Sequence, residues 1–220
     1  MNLVEVAIDL GSAVLCCVLV KFMTKPYELT REISFLGLPL GFSFLGLSFA
    51  LGAIFFLPTS FSEDLIWLPI LTRSFAFAFI STSYFFSNRW SKKGHLLGGI
   101  TVSLLVLALS IFVLLVFVAP AFALTSYSHG NVYFRVFNLA CLSYIVIYTL
   151  RSHVRNPNST KIWIPFGFIF LAISEYSLVL FYLDSSGAAF AGALITRLIG
   201  LSLFFIVAYR IFYSSNLSRG

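Results

Sequence analysis

Three arginines and two carboxylates stand inside long apolar runs, where a lipid-spanning chain has least use for charge: Arg73, Arg135, Arg197, Asp9 and Glu175. A guanidinium at mid-depth in a bilayer costs about 2.5 to 3.5 kcal/mol on insertion scales, so such groups face a bundle interior or a polar cavity. The guanidinium is also a planar fork of donors that matches a carboxylate or phosphate at two points. The five residues therefore read as one polar cluster suited to a carboxylate- or phosphate-bearing ligand, its identity open. Glu175 and Arg197 flank the short turn from Asp184 to Gly187 at comparable distances, so they are expected to pair across that hairpin. Glu5, one helical turn before Asp9, offers a further carboxylate. The competing structural reading has Glu175 merely neutralising Arg197, Arg135 snorkelling to the surface, and Arg73 bonding carbonyl groups.

The depth of the cluster follows from spacing. Arg73 precedes Arg89 by sixteen residues and Arg135 precedes Arg151 by sixteen. At 1.5 Å per residue that is roughly 24 Å of helix, which puts both arginines in the outer leaflet.

The elements that must carry these residues are helices. Of 220 residues, 60% are hydrophobic, 18% aromatic and 10% charged, and the charges bunch between apolar stretches of twenty-odd residues. No water-soluble core hides that much apolar surface, and the spacing suits a bilayer. The fold class is all-α: a polytopic membrane protein with a single seven-helix transmembrane domain over 1–220. Its spans are expected at about 2 to 20, 33 to 57, 66 to 86, 97 to 119, 132 to 150, 162 to 183 and 187 to 209. Basic residues set the orientation. Lys21, Lys25, Arg31, Arg89, Lys92, Lys93, Arg151, Arg155, Lys161, Arg210 and Arg219 all fall on one side, whereas the opposite loops hold Glu63, Asp64 and Asp184. The amino terminus is thus expected outside and the carboxyl terminus inside, in the cell membrane. The first span lacks a basic leading segment and carries Glu5 and Asp9 before its apolar part, so it reads as a mature helix and not a secretory signal.

Arg73, Arg135 and Arg197 are 62 residues apart in each step, and the same offset relates Arg31, Lys93 and Arg155. Helix 1 followed by three parallel two-helix repeats, 31–92, 93–154 and 155–216, would account for this. Small residues four apart (Gly37 with Gly41, Ser48 with Gly52, Gly94 with Gly98, Ala188 with Gly192) suggest close helix contacts.

The net charge of +6 comes from basic cytoplasmic loops, so nucleic acid is not an expected partner. Cys16, Cys17 and Cys141 have neither disulfide nor metal-ligand spacing, and His95, His129 and His153 lie in or beside loops, so no metal site is expected. No phosphate-cradling loop or serine with a histidine base is present, so no catalytic residues are assigned and the chain reads as non-enzymatic. Seven helices with the amino terminus outside resembles the arrangement of retinal proteins. Those attach their chromophore through a lysine in the last helix, and residues 193–210 contain none, so retinal is rejected and no cofactor is expected.

The expected function is a sensor- or receptor-like module that takes a ligand in its outer half. Ten residues follow Arg210, so output is expected through a separate membrane or cytoplasmic protein at the basic face. A small-anion transporter and an accessory subunit of a larger membrane complex are the alternatives.

Overall fold

The computed structural model describes residues 3–30, 37–55, 67–87, 106–112, 127–155 and 162–217, and all of these lie in or directly beside helices. In chain order they are α1 (Leu3–Thr30), α2 (Gly37–Phe55), α3 (Leu68–Ser87), α4 (residues 106–112), α5 (Tyr127–Arg155), α6 (Trp163–Asp184) and α7 (Gly187–Leu217). Helices α1, α2, α5, α6 and α7 contain stretches long and apolar enough to cross a membrane. The protein is all-α, and its helices suit a polytopic membrane protein, in which every backbone polar group must be satisfied within its own segment. Helix α3 has the length but is interrupted by Arg73 and by the hydroxyls of Ser81, Thr82 and Ser83.

Helix edges depart from the expected spans mostly by overrunning them. Helix α1 continues to Thr30, ten residues past the expected end, and α5 begins at Tyr127 and ends at Arg155. Charges end an apolar run but do not end a ladder of backbone hydrogen bonds, so the helices project beyond the apolar stretch. Most of the expected fourth span lies outside the described residues.

Six helices form a closed ring. Each packs on its neighbours in the order α1, α2, α3, α5, α6, α7, and α7 returns to α1. Helices α3 and α5 touch directly, so α4 lies outside the ring, where its Phe112 meets Phe44 of α2 and Phe75 of α3 at 5.1 Å each. The α6–α7 turn is tight: Ser185 adopts a left-handed conformation (φ 51°) and its N–H donates to the Phe181 carbonyl at 2.8 Å.

One half of the ring interior is apolar and filled. Phe42, Phe77, Ile80, Leu142, Ile145, Phe168, Leu201 and Phe204 are buried there. Phe204 is wedged edge-on between Phe168 at 4.6 Å and Phe42 at 5.5 Å. Its ring lies against Gly167, where a Cβ would come within 2.7 Å of Phe204 Cζ, so the absent side chain is what admits the ring. Of the small-residue pairs described, Gly37 and Gly41 do meet α3 closely, while Gly192 has open space around it. The outward surface is aliphatic, with Val14, Ile147, Ile173, Ile195 and Ile206 all exposed, the inverse of a water-soluble protein.

Candidate ligand-binding site

The other half of the interior is charged. Glu5, Asp9, Arg73, Arg135, Glu175 and Arg197 are all buried, with at most 8% of their surface exposed. They arrive from five helices, and each occupies the inward stripe of its own. On α5, Asn131, Arg135 and Asn138 recur at the four- and three-residue spacing that stacks side chains on one face. On α1 the stripe is Glu5, Asp9, Ser12, Cys16 and Leu19, polar at the start and apolar below.

Two linked groups result. Glu175 of α6 accepts from Arg73 Nη1 at 3.1 Å through one oxygen, and from Arg135 Nη1 at 3.2 Å through the other, which also takes Asn138 Nδ2 at 3.4 Å. Arg73 Nε donates to Ser48 Oγ of α2 at 3.2 Å, and that hydroxyl donates to the Pro69 carbonyl at 2.7 Å. The second group joins the ends of the chain: Arg197 of α7 is salt-bridged to Asp9 of α1. Phe49 of α2 lies under both groups, its ring 4.9 Å from the Arg73 guanidinium carbon and 4.4 Å from that of Arg197. Cation–π attraction thus adds to the ion pairs. Tyr182 takes the same position by Arg135 at 5.0 Å.

A cavity of about 340 Å³ opens beside these residues. Glu5, Asp9, Arg73, Asn131, Arg135 and Arg197 supply its polar wall, while Ile70, Leu178 and Leu194 supply apolar wall and Phe181, Tyr182 and Phe190 line it near the α6–α7 turn. Among the described residues, Glu5 Oε2, Asn131 Oδ1, Arg135 Nε and Arg197 Nε are buried with no hydrogen-bond partner. Buried polar atoms are ordinarily satisfied, because leaving one unpaired costs about 1 to 3 kcal/mol. Four such atoms on residues that line one cavity are unmet capacity at a single place.

The structure therefore brings Asp9, Arg73, Arg135, Glu175 and Arg197 into one region, with Glu175 set between two of the arginines. Of the expected pairing of Glu175 with Arg197, direct or through one water, it corrects the direct hydrogen bond: Glu175 is held by Arg73 and Arg135, and Arg197 by Asp9. Hairpin spacing placed Glu175 and Arg197 at similar depth, but depth does not say which side of the helix each occupies. Nor does Arg135 snorkel, since it is 7% exposed and turned inward to Glu175. Arg73 and Arg135, 62 residues apart, meet the same carboxylate from neighbouring helices, whereas Arg197 turns to α1. Ser48, Asn131 and Asn138 were not singled out from sequence. The i, i+4, i+7 alignment of both asparagines with Arg135 is the signal that would have found them. Comparison with protein-family models, characterised proteins and solved structures returns no match for the chain.

Proposed function

We propose that this is a seven-span protein of the cell membrane, amino terminus outside and carboxyl terminus inside, that receives a small carboxylate- or phosphate-bearing ligand in the outer half of its bundle and acts through a separate protein at its basic cytoplasmic face. The observation that carries the reading is the cavity with its unpartnered buried donors and acceptors, set over the packed apolar half of the ring that holds Phe42, Phe168 and Phe204. A cup that is polar at one end and apolar at the other suits reception. A permeation route would need polar lining further in, and the buried Ser83 and Thr149 there spend their hydroxyls on carbonyls of their own helices.

Helix directions support the count of seven. Arg73 near the start of α3 and Arg135 near the start of α5 reach the same carboxylate, so these neighbours run parallel. The end of α3 at Ser87 and the start of α5 at Tyr127 therefore stand at opposite ends of the bundle, with α4 between them in the chain, which supports one further crossing. Arg151, Arg155 and Arg210 are exposed at the opposite end from the cavity, where a partner would dock. Basic residues are enriched on the cytoplasmic side of membrane proteins, which supports this orientation.

The test is photo-crosslinking in native membranes from position 152, at the basic end of α5. A discrete adduct to a second protein is the expected result, and the chain remaining alone removes the partner from the reading. Proteoliposome uptake of a labelled organic anion, abolished by Arg197→Ala, would replace the receptor reading with a transporter.

A further inference from the structure

Resting on the receptor reading, the arrangement of charge around the cavity narrows the ligand. In the ring order, α1 and α5 stand opposite one another, three steps apart by either route. The two walls they contribute differ in sign. On the α5 side, Arg73 and Arg135 share one carboxylate, Glu175, so two guanidiniums meet a single anion. On the α1 side, Glu5 and Asp9 line the cavity together with one guanidinium, Arg197, and that guanidinium is bonded to Asp9. Each wall thus holds one charge beyond its internal pairing: a positive charge at Arg135 and a carboxyl at Glu5.

Each wall also carries one unpartnered donor and one unpartnered acceptor, Arg197 Nε and Glu5 Oε2 on the α1 side and Arg135 Nε and Asn131 Oδ1 on the α5 side, and the pair that belongs to the two groups of excess charge decides the sign of what each wall takes. Glu5 Oε2 lacks a donor on one side, and Arg135 Nε lacks an acceptor on the other. A lone anion would satisfy the α5 wall and leave the Glu5 carboxyl buried without compensation, which is unfavourable. A lone cation would do the reverse. We propose that the cavity takes a compact zwitterion of the amino-acid type, its carboxylate toward Arg135 and its ammonium toward Glu5, with a short apolar side chain against Ile70, Leu178 and Leu194.

Size and lining agree with that class. A volume of about 340 Å³ is near the lower end for small-molecule pockets, so it holds one small solute and not a lipid with its tails. The aromatic residues Tyr182 and Phe190 line the cavity too and add wall for the body of a small solute.

Three near-isosteric probes separate the possibilities: leucine carries both charges, leucinamide only the cation, and isocaproate only the anion. Binding to the purified full chain in detergent is measured by calorimetry, alongside the shift in melting temperature. The expected result is that leucine binds at least about tenfold more tightly than either probe with one charge, since each lost partner strands a buried charged group. Glu5→Gln breaks no protein hydrogen bond at Oε2, so this variant should fold. It should abolish the preference for leucine over isocaproate, by weakening leucine and by leaving isocaproate no weaker than before. Isocaproate binding as tightly as leucine would overturn the zwitterion and leave a receptor for simple anions. Leucine affinity unchanged in Glu5→Gln would overturn it as well. Failure of all three probes to bind overturns the ligand class, whereas the receptor reading is decided separately by the crosslink from position 152.

Discussion

Arg197 on the last helix is salt-bridged to Asp9 on the first, 188 residues away, so one ion pair closes the ring of helices at its charged end. Both residues are buried, at 5% and 6% exposure. Removing one member leaves the other charge uncompensated, which costs about 3 to 5 kcal/mol. Asp9→Asn and Arg197→Gln are each expected to lower the melting temperature in detergent substantially, and the double variant to lose less than the two losses added together. Strict additivity would mean the pair contributes nothing as a pair.

Glu175 and Arg135 are not equivalent partners. Arg135→Gln leaves a balanced Arg73–Glu175 pair, whereas Glu175→Gln leaves two guanidiniums facing each other across a neutral amide. Glu175→Gln is therefore expected to destabilise more than Arg135→Gln. Thermal unfolding of the two variants side by side gives the order, and equal losses would show that Arg73 is compensated from elsewhere.

Gly167 and Gly192 should respond oppositely to alanine. At Gly167 the new Cβ would meet three atoms of the Phe204 ring at 2.7 to 3.0 Å, and that ring is held by Phe42 and Phe168. Gly167→Ala is expected to cost about 1 to 3 kcal/mol, the usual range for overpacking. Gly192 has nothing within 4 Å, so Gly192→Ala is expected to be neutral or to stabilise by up to about 1 kcal/mol through helix propensity. Unfolding midpoints of the two variants check both signs.

Orientation is read out by thiol labelling. Cys16, Cys17 and Cys141 are free and are first replaced by serine or alanine. In that background Ala188→Cys, exposed just after the α6–α7 turn, is expected to react with a membrane-impermeant maleimide on intact cells. Ser152→Cys, exposed near the end of α5, is expected to react only after permeabilisation. The reverse pattern would place the amino terminus inside and turn the cavity toward the cytoplasm.

Composition and charge spacing were enough to read an all-α chain with helices suited to a membrane, because a bilayer leaves a chain few ways to satisfy its backbone. They were also enough to pick out Asp9, Arg73, Arg135, Glu175 and Arg197, because a charge in an apolar run stands out without any knowledge of its neighbours. Sequence could not assign partners within that set. Whether Glu175 meets Arg197 or Arg73 depends on how far each helix is turned about its axis and on which helices are adjacent in the ring. That rotation comes from packing: Gly37 and Gly41 seat α2 on α3, and Gly167 admits Phe204 between α6 and α7. Closure of α7 onto α1 is equally invisible along the chain, since residues 188 positions apart carry no mark of their contact. Tertiary structure alone decided that five isolated charges become two linked groups facing each other across a cavity.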